Sequence, residues 1–112
     1  MEITQRVIDE RTRVIGLDGP LNAGSSESLK EVFHRVASEG IHQVVVDLGK
    51  VHFVDSSGLA ALVSGLKALG GENACLKLAA LQPQAQLLFK LTMFDRVFET
   101  YVDVDAALKA CH

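Results

Sequence analysis

Phe53-Val54-Asp55-Ser56-Ser57-Gly58-Leu59 puts a carboxylate and two adjacent hydroxyls into an otherwise apolar context. An amphipathic stripe follows at Leu59, Leu62, Val63, Leu66 and Leu69, so these polar residues crowd the start of a helix. The N–H groups of a helix's first turn lack intrahelical acceptors, and Asp55, Ser56 or Ser57 can accept from them by capping. One capper suffices, which leaves a second hydroxyl free for other chemistry. Such a hydroxyl suits a phosphate, because open N–H groups and the helix dipole favour an anion there. Repulsion between the phosphate and Asp55 costs on the order of 1 kcal/mol at surface dielectric, against a dipole gain of about 0.3–1 kcal/mol. The two nearly cancel, so a phosphate should spare the fold and act at an interface. Capping alone and capping beside a phosphate-accepting hydroxyl both fit these residues.

Other chemistries find less support. Neither serine lies in a Gly-x-Ser-x-Gly elbow, and His34, His42, His52 and His112 are scattered without an evident orienting carboxylate, so a hydrolytic triad is not expected. No His or Cys pair has the spacing of metal ligands on a helix face, and Gly70-Gly71 suits a helix stop better than a phosphate cradle. We therefore expect no enzyme, no cofactor and no metal.

The elements that must position the turn follow from periodicity. Residues 3–9 and 13–17 suit two strands joined as a hairpin. Ser25 or Ser26 can cap a helix with apolar face Leu29, Val32, Phe33 and Val36, stopping at Gly40. Residues 43–48 form a β-branched run without polar alternation, as expected of a central strand covered on both faces. Residues 74–79 predict another strand, Pro83 a helix start ahead of Leu87, Leu88 and Leu91, and residues 97–101 a last strand. Asp103 can cap a final helix through Ala106, Ala107 and Leu108. The order ββαβαβαβα predicts one α/β domain over residues 1–112. We expect a small mixed sheet of about five strands, with about four helices packed mainly on one face.

Composition narrows the function classes further. The chain has 112 residues, 48% of them apolar, and a formal net charge of −3. A chain of this size hides roughly two-thirds of its extended surface on folding, so disulfides are not required. Cys75 and Cys111 show no framework spacing, and a reduced, cytoplasmic protein is expected. No basic run exists to follow a nucleic-acid backbone. No secretory leader and no apolar stretch of about 20 residues suggests export or membrane insertion.

The stretch from Val44 to Leu59, with its strand closed by an aspartate, its Asp-Ser-Ser-Gly-Leu turn and the helix behind it, resembles the central motif of STAS domains. That family includes bacterial anti-sigma factor antagonists and sulphate-transporter tails. Weaker similarity extends over Leu17-Asp18-Gly19-Pro20-Leu21-Asn22, Gln82-Pro83 and Leu91-Thr92-Met93-Phe94. The resemblance implies a STAS-like fold and a phosphoacceptor at Ser56. The partner would be an anti-sigma factor with serine kinase activity, which brings its own ATP and magnesium. Unphosphorylated, the antagonist binds that kinase and frees a sigma factor; phosphorylated, it lets go, and a PP2C-type serine phosphatase restores it. By the same carry-over Asp55 shapes the turn, Ser57 caps the helix, and Gly58, Leu59, Asn22, Met93 and Phe94 belong to the switch loop or partner surface. Asn22 stands where many antagonists have Asp; it keeps the capping role and loses the charge. Met93 and Phe94 suit either core or an apolar edge covered by the partner. A non-switching STAS subunit, of a lipid-transport ABC complex or a stress-sensing assembly, is the alternative.

Overall fold

A computed structural model describes residues 1–70 and 74–111. The elements are β1 (Glu2–Val7), β2 (Thr12–Asp18), α1 (Ala23–Ser38), β3 (Gln43–Lys50), α2 (Ser56–Ala68), β4 (Cys75–Ala79), α3 (Pro83–Leu91), a short 3-10 turn (Phe94–Arg96), β5 (Glu99–Tyr101) and α4 (Val104–Ala110). The sheet runs in chain order, β1-β2-β3-β4-β5. β1 and β2 are an antiparallel hairpin, and each later strand joins its predecessor in parallel after a helical crossover. The mixed sheet expected from the element order is therefore present.

β3 is central, and its run of Val44, Val45 and Val46 is fully buried because both faces are covered. On one face Ile15, Leu17, Val44, Val46, Leu48, Leu76 and Leu78 pack beneath α1, α2 and α3. On the other, Val14, Val45 and Ala79 meet Ala107 of α4. Three helices lie on one side and one on the other, in line with the expectation of helices packed mainly on one face. Lys77 also points to this second face, paired with Glu99 and lying 6.0 Å from the Tyr101 ring centroid. Burial lowers its pKa from the ordinary lysine value.

Several local expectations are corrected by packing. The cap of α1 is Asn22, not Ser25 or Ser26: the Asn22 Oδ1 accepts from the Gly24 N–H at 2.9 Å. Ser25 instead reciprocates from inside the first turn, accepting from the Asn22 N–H at 3.0 Å. Gly40 takes the left-handed conformation expected after α1, with φ at 80°. Part of the stop expected at Gly70-Gly71 falls on residue 71, outside the described residues, as does His112. α3 buries Ala85 and Phe89, leaving Leu87 and Leu91 exposed. The last strand begins at Glu99, because Phe98 turns inward against Phe89 and Phe94.

The cysteines are also corrected. Cys75, where β4 begins, and Cys111, at the end of α4, form a disulfide across the second face, with Cα atoms 6.1 Å apart. Their separation of 36 positions carries no sequence pattern; only the return of α4 over β4 brings them together. Closing a loop of that length stabilises the fold by on the order of 3–4 kcal/mol in the chain-entropy account. Reduction, or Cys111→Ser, should therefore lower the melting temperature by roughly 10–20 °C, as read by calorimetry under oxidising and reducing conditions.

Candidate functional site

The turn before α2 is built from three segments. The chain leaving β2 and the chain leaving β3 continue side by side through a parallel bridge between Leu21 and Val54. The Leu21 N–H donates to the Phe53 carbonyl at 2.9 Å, and the Asp55 N–H donates to the Leu21 carbonyl at 3.2 Å. From the other side, the Gln84 side chain donates to the Val54 carbonyl at 2.9 Å and accepts from the Val54 N–H at 2.8 Å. Gln82, just before Pro83, donates to the Gly49 carbonyl at 2.7 Å. The starts of α1, α2 and α3 are thereby pinned to one another.

Gly58 is required by this arrangement. A Cβ there would lie 2.4 Å from the Leu21 carbonyl oxygen and 2.8 Å from the Leu21 Cγ. Removing the side chain lets the Leu21 backbone reach the first turn of α2 and accept from Asp55. Beneath the turn, Leu59 is buried in the core. Gly58 and Leu59 accordingly lie under the site and support its surface.

Asp55 is the cap, and the expectation that Ser57 caps is corrected. The Asp55 backbone is extended, and its Oδ1 accepts from the Gly58 N–H at 3.0 Å. Capping geometry needs a side chain one residue outside the helix, and Ser57 already lies inside it, half-buried. Ser56, at the first helical position, is exposed. No hydrogen bond within the described chain uses its hydroxyl. Nor do the Ser56 and Ser57 N–H groups, which open the helix, have acceptors among the described residues. An exposed hydroxyl beside open N–H groups can carry or contact an anion without breaking an existing bond.

The other candidates fall at different distances from this turn. Asn22 is next to Leu21 and caps α1, so it borders the site through the backbone. Met93 and Phe94 follow the far end of α3 from Gln84, and a helix of nine residues is about 13 Å long. Met93 is 60% exposed and left-handed, with φ at 61°. Phe94 is half-buried, its ring tilted against Phe98 at 6.3 Å. The link from α3 to the turn runs through Gln84 instead. Sequence reasoning missed Gln84; its signal was a side-chain amide, donor and acceptor together, one residue after a helix-starting proline. A cleft of about 590 Å³ lies at the carboxyl ends of β3, β4 and β5, lined by Gly49, Ala80, Phe89, Lys90 and Tyr101 among others, and no residue of the Ser56 turn lines it.

Known proteins resemble this chain in sequence and in fold. A family model described as STAS domain matches residues 3–107. A STAS-domain containing protein of Pseudomonas aeruginosa is 29% identical over 91 residues, covering 81% of this chain and 89% of its own. The anti-sigma-B factor antagonist of Staphylococcus epidermidis is 32% identical over 78 residues, covering 70% of this chain and 72% of its own. Among solved structures, an anti-sigma factor antagonist from Mycobacterium paratuberculosis superposes with a TM-score of 0.84 at 28% identity, covering 98% of this chain and 94% of that one.

The turn makes separable demands on its residues. Gly58→Ala should cost about 1–3 kcal/mol by overpacking against Leu21, and Asp55→Ala about 1 kcal/mol by removing the cap. Ser56→Ala should change stability by less than about 0.5 kcal/mol. Urea unfolding of the three variants against the unsubstituted chain measures the contrast.

Proposed function

The chain belongs to the STAS domain family, and from that premise we propose that it is an anti-sigma factor antagonist switched by phosphorylation of Ser56. Its partner is an anti-sigma factor with serine kinase activity, which supplies ATP and magnesium. Unphosphorylated, the antagonist holds that partner and releases a sigma factor; a PP2C-type serine phosphatase reverses the modification. The observation that carries this reading is the division of labour at α2. Asp55 supplies the cap, so the exposed Ser56 hydroxyl is left without a structural duty.

The energetics favour a change of affinity over a change of fold. Phosphorylating Ser56 breaks no side-chain bond, and the dipole gain and the Asp55 repulsion are of similar size, each about 1 kcal/mol or less. Against a partner surface the same phosphate must shed water without a counter-charge from this chain. About 3 kcal/mol of such a penalty weakens binding more than a hundredfold. The exposed Phe53 and the outward Leu87 and Leu91 of α3 give the partner apolar surface on the elements that build the turn. With such partners the proposed site of action is the cytoplasm. Thiol buffers there reduce most disulfides; loss of the Cys75–Cys111 bond costs stability but spares the Ser56 turn, which is built from other elements.

Incubation with ATP and the cognate kinase should add the mass of one phosphate, abolished in Ser56→Ala and retained in Ser57→Ala. Ser56→Asp should weaken kinase binding while leaving far-UV spectra and cooperative melting unchanged. No mass gain with the kinase that the chain binds would overturn the switch, and a transporter subunit as the bound partner would favour the non-switching alternative.

A further inference from the structure

The two edges of the sheet are protected unequally. β5 has three residues, too few to template another strand. β1 has six, five of them exposed, and contains neither proline nor lysine to discourage pairing. β2 takes up only one side of β1. The Ile8 N–H donates to the Thr12 carbonyl at 3.1 Å, and these two residues continue the register that sets Val7 opposite Arg13. By alternation Glu2, Thr4 and Arg6 turn their backbone groups toward β2, while Ile3, Gln5 and Val7 turn theirs outward. Among the described residues nothing takes those outward groups.

The side chains sort just as sharply. Ile3 packs toward the main core, so Glu2, Thr4 and Arg6 share the opposite face. Thr4 lies over Gly16, where a Cβ would come within 2.7 Å of the Thr4 hydroxyl. Glu2 and Arg6 are exposed, and neither joins an ion pair among the described residues. An acid and a base thus stand on one face of an open edge, two residues either side of Thr4.

We propose that β1 pairs with β1 of a second copy of this chain, antiparallel about a two-fold axis at Thr4. That register sets Glu2 of each copy opposite Arg6 of the other, so the ion pair forms twice. Outward-facing Ile3 and Gln5 become the hydrogen-bonded pairs, and Glu2 meets Arg6 at the non-hydrogen-bonded positions, where side chains approach more closely. Moving the axis to Gln5 would set Glu2 against Ile8 and Arg6 against Thr4, losing both ion pairs. The interface is isologous and closed, and it joins two five-stranded sheets edge to edge. A pair of six-residue strands buries little area, which makes the dimer weak and reversible, and dependent on these charges.

Sedimentation velocity of the full chain over a dilution series, at low ionic strength, should show a reversible monomer–dimer equilibrium. Arg6→Glu and Glu2→Arg should each weaken it by about tenfold or more, because each change acts at both ends of the axis. The double variant Glu2→Arg, Arg6→Glu should return the dissociation constant to within about threefold of the unsubstituted chain. Thr4→Cys should form an intermolecular disulfide on mild oxidation and Val7→Cys should not, since only residue 4 meets its own copy. A monomer at every concentration, a dimer unmoved by the single reversals, or single losses that the double variant fails to restore would each overturn the proposal.

Discussion

The approach of the Leu21 backbone to the first turn of α2 is the constraint on which the site depends. It is possible only because residue 58 is glycine. It gives the Asp55 N–H an acceptor in the Leu21 carbonyl and aligns the chain segments that enter α1 and α2. Once Asp55 is held there in an extended conformation, its carboxylate is positioned to cap α2 through the Gly58 N–H. The hydroxyl of Ser56 is then released from capping by geometry. A local close contact thereby determines which of two neighbouring serines is available at the surface.

Two polar side chains from α3 and its approach fasten the turn and the strand end that leads to it. Gln84 completes the hydrogen bonding of Val54 as a further strand would, and Gln82 does the same for the end of β3 at Gly49. A turn fastened in this way suits the proposed switch, in which a partner would meet one surface whose electrostatics differ between two states. A mobile turn could absorb the added charge by moving away. The second face of the sheet is organised separately, by α4, the Lys77–Glu99 pair and the Cys75–Cys111 bond.

Elements with strong periodicity were legible in the sequence: β3 from its β-branched run, α1 and α2 from their apolar stripes, and the Gly40 stop from its position after α1. The turn itself was also legible as a place where polar residues exceed what capping needs. Roles within it were not, because Asp, Ser and Asn all cap and only the backbone decides which one stands outside the helix. Asn22 and Asp55 hold that position, and Ser25 and Ser57 lie within the first turns. The buried side of α3 was hidden because Leu87 and Leu91 are as apolar as the Ala85, Leu88 and Phe89 that in fact face inward, and nothing local separates the two sets. The disulfide and the Gln84 contacts are long-range, spanning 36 and 30 positions, and depend on topology rather than local pattern.

In the proposed switch, phosphate at Ser56 changes the surface of one turn and leaves the fold as it is. Amide spectra of the phosphorylated and unphosphorylated chain, recorded by two-dimensional NMR under the same conditions, test it most directly. The account predicts shifts confined to residues 53–59 and their neighbours at Leu21, Asn22 and Gln84, with the Gly58 amide still protected by Asp55. Shifts spreading through β2, β3 and β4, or loss of the Gly58 protection, would contradict it.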